Sequence, residues 1–170
     1  MYTLDFTIDD SSPLIYYVPQ ENAWSQKDPH NERSAPNYHS QTLTVTYTRN
    51  ATASFLFNGT SLTITGGRRP GYGNFTVTID GSIFELTADE ATEQYKQTIF
   101  ETHDLKQGLH HVRLTNTDTQ GRGFDIDSVR TSKISSTQLH PRNINLIAGP
   151  IFILDHADVY DSGAHIVFLE

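Results

Sequence analysis

Trp24, Tyr38 and Tyr72 stand among Gln, Asn, Asp, Pro and Gly in turn-rich stretches, with Arg68, Arg69, Asp118 and Arg122 in or beside such stretches. Flat aromatic faces cover the C–H side of a pyranose, and planar carboxylate, amide or guanidinium groups hydrogen-bond pairs of hydroxyls. Trp24, Tyr38, Arg68, Arg69, Tyr72, Asp118 and Arg122 are therefore the candidate residues for holding a glycan. The competing reading is structural. A lone indole most often packs, so Trp24 would plug one end of a core and the two tyrosines would cover its rim.

Other chemistry is thinner. Asp125 and Asp127 lie two apart on an expected strand, which puts them on one face with Cα atoms about 6–7 Å apart. Like charges so close need water, a cation or a basic side chain between them, unless both simply face solvent. His110 and His111 are strand neighbours and face opposite sides, so they cannot share one ion, and no His-Glu-x-x-His pattern occurs. Gly-x-Ser-x-Gly and Gly-Lys-Ser/Thr sequences are missing as well. Glycoside hydrolysis needs two carboxylates about 5–10 Å apart across a cleft. Asp9, Asp80, Glu85, Asp125 and Asp155 could supply them, but nothing in their spacing pairs any two, so a non-enzyme is expected.

Composition narrows the classes. The chain has 170 residues, a net charge of −8 and no cysteine. That length suits one domain with a continuous core. The acidic balance argues against a nucleic-acid partner, whose binding rests on Lys and Arg. Zero cysteines remove disulfides, thiol nucleophiles and thiolate zinc sites. No stretch approaches the ~20 apolar residues that cross a bilayer, so no membrane insertion is expected. Met1-Tyr-Thr-Leu-Asp-Phe6 lacks the basic start and apolar run of a secretory leader. Three sequons, at Asn50, Asn58 and Asn74, are each followed at the second position by Thr, the pattern of N-glycosylation in exported proteins.

The elements that must hold these residues read as strands. Tyr2, Leu4, Phe6 and Ile8 alternate with polar residues, as do Leu43, Val45 and Tyr47, and Phe75, Val77 and Ile79. Asn58-Gly59 and Asp80-Gly81 are both of the type that turns a tight hairpin. Pro19 to Tyr38 reads as one long polar loop, Gly66 to Gly73 as a flexible loop, Thr87 to Glu93 as the one place for a helical turn, and Phe124 to Val129 as a single closing strand. About nine short strands of this kind fit an all-β fold, a two-sheet antiparallel β-sandwich of jelly-roll type. The sandwich would occupy residues 1–131. Residues 132–170 read as a C-terminal extension whose apolar run, Ile144 to Leu154, would pack on the sandwich or on a second chain to form a homo-oligomer.

Several stretches carry a resemblance in matching order: Ile8-Asp-Asp-Ser11, Ile15-Tyr16 with Trp24 beyond, Ala53-Ser-Phe-Leu-Phe-Asn-Gly-Thr60 leading into Thr63-Ile-Thr-Gly66, Tyr72-Gly-Asn-Phe-Thr-Val-Thr-Ile-Asp-Gly81, Leu105-Lys-Gln-Gly-Leu-His110 and Ile126-Asp-Ser-Val129. They resemble the extracellular domain that recurs in fungal, chiefly basidiomycete, cell-surface and secreted proteins. That domain is similar to the galactose-binding-like jelly rolls of carbohydrate-binding modules. The resemblance spans residues 5 to 131. It implies a location outside the cell or on its surface and a glycan or polysaccharide as partner. It also implies a structural calcium where first and last strands meet, with Asp9 or Asp10 joining Asp127 among the hard oxygen ligands. No other cofactor is expected. The expected function is non-catalytic glycan binding; the alternatives are a structural or adhesion domain and a glycoside-active enzyme.

Overall fold

The computed structural model describes residues 2–135. Its strands are β1 (Tyr2–Asp9), β2 (Tyr16–Val18), β3 (Trp24–Lys27), β4 (Leu43–Thr46), β5 (Thr52–Gly59), β6 (Ser61–Arg68), β7 (Asn74–Ile79), β8 (Ser82–Thr87), β9 (Gln94–Thr102), β10 (Gly108–Asn116), β11 (Phe124–Ile126) and β12 (Ser128–Ser135). Two single-turn 3₁₀ segments, Ala35–Asn37 and His39–Gln41, are the helical elements among the described residues. The strands form a four-stranded sheet in the order β1-β12-β6-β9, a five-stranded sheet β2-β5-β10-β7-β8 and a small sheet β11-β4-β3. Every strand pair is antiparallel. This is an all-β sandwich, as the alternating pattern requires.

Period-two alternation decides what is inside. Along β10, His110, Val112, Leu114 and Asn116 are buried while Leu109, His111 and Arg113 face outward. Phe75, Val77 and Ile79 of β7 turn to the same interior. One apolar cluster draws Phe55, Phe57, Val77 and Leu114 from the five-stranded sheet and Leu62, Ile64, Ile99 and Val129 from the four-stranded one. Each such side chain contributes about 1.5–3 kcal/mol on removal from water, so the pattern that places them also supplies most of the stability.

Asp80-Gly81 turns the β7–β8 hairpin as expected, with Ile79 opposite Ser82 and positive φ at both turn residues. Asn58-Gly59 does not turn one. β5 and β6 belong to different sheets, and Gly59 ends β5 where an added Cβ would lie 2.5 Å from the Ser132 carbonyl oxygen. Gly66 and Gly67 are not a flexible loop either: both lie within β6, where side chains would strike Asp125 and Tyr38. The long stretch after Pro19 contains β3 and both 3₁₀ turns. Thr87 to Glu93 forms no helical turn. The closing strand breaks at Asp127, so that β11 joins the small sheet and β12 the four-stranded one. β12 carries the sandwich to Ser135; the apolar run Ile144 to Leu154 and its proposed oligomeric role lie outside the described residues.

Candidate functional site

Of the residues expected to meet a glycan, Tyr38, Arg69 and Tyr72 do converge, but inward. β11 places Asp125 under the β6 glycines. There Asp125 Oδ2 accepts the Tyr38 hydroxyl at 2.8 Å, the Tyr72 hydroxyl at 2.7 Å and Arg69 Nη2 at 2.9 Å. Its other oxygen accepts the Gly67 amide. Arg69 Nη2 also donates to the Tyr38 oxygen at 2.7 Å, and the guanidinium lies 4.5 Å from the centre of the Tyr72 ring. Tyr38 and Tyr72 are each 2% exposed and Asp125 is fully buried. Burial, followed by the Asp125 charge, pushes both tyrosine hydroxyls far above the usual phenol range, so they stay donors. The two tyrosines cannot offer a stacking face. They are pins between the 3₁₀ turns, β6 and β11.

Asp118 likewise turns inward. It is buried, and its carboxylate accepts the backbone amides of Gln120 and Arg122 and the Arg122 Nε at 3.0 Å. Desolvation acts upward on its pKa, but those donors hold it down to about 2. Asp118 and Arg122 therefore clamp the loop between β10 and β11. Arg68 reaches the Thr98 carbonyl at 3.3 Å, along the opposite edge of β6.

Asp9, Asp10 and Asp127 lie where β1 ends against the start of β12. None of the three is exposed, and Asp10 and Asp127 are buried. Thr42 and Thr44 each donate to one Asp10 oxygen at 2.7 Å, and the His39 amide donates to Asp127 at 2.6 Å. Asp9 Oδ1 is left buried without a partner. Among the described residues no group of three His, Cys, Asp or Glu is arranged to hold a metal ion. Burial above all pushes Asp10 up to about 6, with the Asp9 and Asp127 charges acting the same way.

Trp24 leads to a cleft that mixes aromatic faces with polar groups. It is half-buried on β3, 4.8 Å from the Tyr17 ring and 5.7 Å edge-on from Phe124, and its Nε1 donates to the Val18 carbonyl at 3.3 Å. Trp24, Tyr16, Gln20, Gln26 and Asp10 line a cleft of about 420 Å³ between the edge strands β2 and β3. Tyr16 is 58% exposed, and both glutamines are exposed. The packing role read for Trp24 and its place in a cleft are thus both present. Tyr16, Gln20 and Gln26 went unsingled in the sequence because no motif marks them. The signal was there in the outward positions of a short strand and in polar residues flanking the only indole.

His110 is the histidine with a defined job. Its Nδ1 lies 2.6 Å from Asp80 Oδ2 and its Nε2 2.8 Å from the Lys106 carbonyl. Both neighbours only accept, so this arrangement favours the doubly protonated ring, which can donate to both. Burial acts downward on its pKa, yet Asp80 and the carbonyl raise it above the ordinary histidine value. A group raised in the folded state stabilises fully below its unfolded pKa of about 6.5 and loses that contribution as pH climbs through the folded value. The urea midpoint is therefore expected to fall between pH 6 and pH 9, and His110→Gln to flatten that slope. An unchanged slope in the variant would assign the pH dependence elsewhere.

No family model matches the chain, and no curated protein matches it in sequence. Solved structures do share its architecture. A two-domain esterase (CEX) active on acetylated mannans superposes with a TM-score of 0.58 at 11% identity, over 79% of this chain and 38% of that one. A family two carbohydrate esterase from Cellvibrio japonicus gives 0.55 at 15%, over 78% of this chain and 35% of that one. The CBM36-1 domain of a multidomain xylanase from the hindgut metagenome of Trinervitermes trinervoides gives 0.51 at 14%, over 79% of this chain and 100% of that domain. The chain thus spans little more than a third of either esterase and the whole of the xylanase's module. Identities this low establish the fold, and the fold is the β-sandwich common to all three.

Proposed function

We propose that this sandwich is a non-catalytic, extracellular or cell-surface module that binds a neutral glycan in the cleft between β2 and β3. The observation that carries the reading is the cleft itself, where two aromatic side chains, Tyr16 and Trp24, stand with the exposed amides of Gln20 and Gln26. A pyranose can lay its apolar face on the rings while the amides pair its hydroxyls. The similar structures, a family two carbohydrate esterase, an esterase active on acetylated mannans and a xylanase's module, support the same direction. A hydrolytic pair has less support. Asp10 is the one carboxylate lining the cleft, while Asp125 is held by its tyrosines and arginine and Asp80 by His110.

The test is retention on a panel of insoluble polysaccharides and affinity electrophoresis in soluble ones. Trp24→Ala and Tyr16→Ala are each expected to weaken binding by about tenfold, because a stacked ring contributes about 1.5 kcal/mol. Gln26→Ala should weaken it less. Thermal melts confirm that each variant is folded, which matters for Trp24 because it packs on Phe124. Equal retention of wild type and both aromatic variants would remove this cleft as the binding site, and release of reducing sugar by the wild type would turn the reading to catalysis.

A further inference from the structure

Among the described residues, the sandwich has two unpaired strand edges along one side. β2 pairs with β5 only at Thr52, Ala53 and Ser54, so among the described residues the outer edge of β5 from Phe55 to Asn58 has no strand beside it. β1 is likewise the edge of its own sheet. Between these two edges runs an apolar groove of about 240 Å³ lined by Phe6, Leu14, Leu56 and Val129, with Asn58 at its rim. Phe6 is 50% exposed, Leu56 60% and Leu14 66%. Exposed β edges beside exposed large apolar side chains favour association with other chains, and something must blunt that tendency if the domain works alone.

Asn58 is also the acceptor position of the sequon Asn58-Gly59-Thr60. Its side chain is exposed, and its Oδ1 accepts Gln107 Nε2 at 2.8 Å, which turns the carboxamide oxygen to Gln107 and the nitrogen away from it. We propose that Asn58 carries an N-linked glycan whose first sugars lie over the groove and shield both the apolar side chains and the free edge of β5. This rests on the export assumed in the proposed function, not on the cleft at Trp24. In the modification, Asn58 Nδ2 forms a bond to C1 of an oligosaccharide donated by a lipid pyrophosphate. The C1–O bond to the pyrophosphate breaks, the lipid pyrophosphate leaves with the bonding pair, and the amide nitrogen gives up one proton to a base of the transferase. Asn50, in the turn before β5, and Asn74, at the start of β7, are exposed sequon residues too, but neither lines this groove.

The experiment secretes the full chain from a eukaryotic host and maps glycan occupancy by mass spectrometry. Dye binding to apolar surface and mass by light scattering are then compared for wild type, Asn58→Gln, Asn50→Gln, Asn74→Gln and wild type treated with an N-glycan-removing amidase. The expected result is occupancy at Asn58. Dye binding should rise about twofold or more, with a shift toward dimers or larger species, in Asn58→Gln and in the treated protein alone. Adding Leu56→Thr to Asn58→Gln should reverse both. Occupied Asn50 and Asn74 with a bare Asn58 would overturn the proposal while leaving export standing. An occupied Asn58 whose removal changes neither dye binding nor mass would overturn the shielding role. Neither result would touch polysaccharide retention, which judges the Trp24 cleft separately.

Discussion

Asp125→Ala is expected to lower the unfolding free energy by about 3–5 kcal/mol, the cost of removing one partner from a buried ion pair. Four donors converge on this carboxylate: two tyrosine hydroxyls, the Arg69 guanidinium and the Gly67 amide. Without it, Arg69 keeps a positive charge that is largely out of water, and the Gly67 amide is left buried and unpaired. The loss would be felt in three places, because the donors come from the turn before β4, from β6 and its end, and from the loop before β7. Tyr72→Phe separates charge from hydrogen bonding: it removes one donor, leaves the Arg69–Asp125 pair and should cost about 1 kcal/mol. Urea unfolding followed by Trp24 fluorescence reads both variants, since the indole sits against Phe124, next to Asp125 in sequence. A loss below that of Tyr72→Phe would show that the network fills space without holding the loops.

Period-two alternation carried most of the architecture, because a strand with one face in the core must place apolar residues at every second position. Phe75, Val77 and Ile79 are assigned inward by the pattern alone, and so are the opposite facings of His110 and His111. Asp80-Gly81 was legible for the same local reason, since its positive φ angles are a property of the turn itself. Asn58-Gly59 misled because an identical local signal was overruled by topology: the chain leaves one sheet for the other there. Gly66 and Gly67 misled more instructively. Two adjacent glycines suggest freedom, whereas here they make room for Tyr38 and Asp125, residues 28 or more positions away on a chain that carries no local mark of the contact. Similar separations hid the fate of Tyr38 and Tyr72, whereas Asp118 is held by Gln120 and Arg122, only two and four residues on. Aromatic and charged residues in polar loops look like a binding surface, and only tertiary structure shows that their polar atoms satisfy one another inside. Trp24 was legible as an anchor, and Tyr16 was not, because its value lies in which side of a three-residue strand faces the cleft.

Gly123→Ala is expected to cost more than 3 kcal/mol and to leave little folded protein at 37 °C. The residue stands just before β11, where Gly73 donates its amide to the Gly123 carbonyl at 2.8 Å and Tyr72 bridges to it in parallel. A methyl group at Gly123 would collide with the Thr46 carbonyl oxygen and press on the Tyr47 ring at 2.8 Å. Backbone cannot swing aside as a flexible side chain can, and Thr46 is held in place by β3 and by its own hydroxyl, which donates to the Ala23 carbonyl at 2.6 Å. Relief would have to come from β11 shifting, and β11 carries Phe124 and Asp125, so the strain would spread to the stacked Phe75–Phe124 pair and to the tyrosine network together. Gly108→Ala supplies the contrast, because a Cβ there meets nothing within 4 Å and its φ needs no glycine. That variant should match the wild type within about 1 kcal/mol. Thermal melts of the two alanine variants side by side decide the matter: equal melting temperatures would mean that the approach of β11 to β4 is looser than these distances describe.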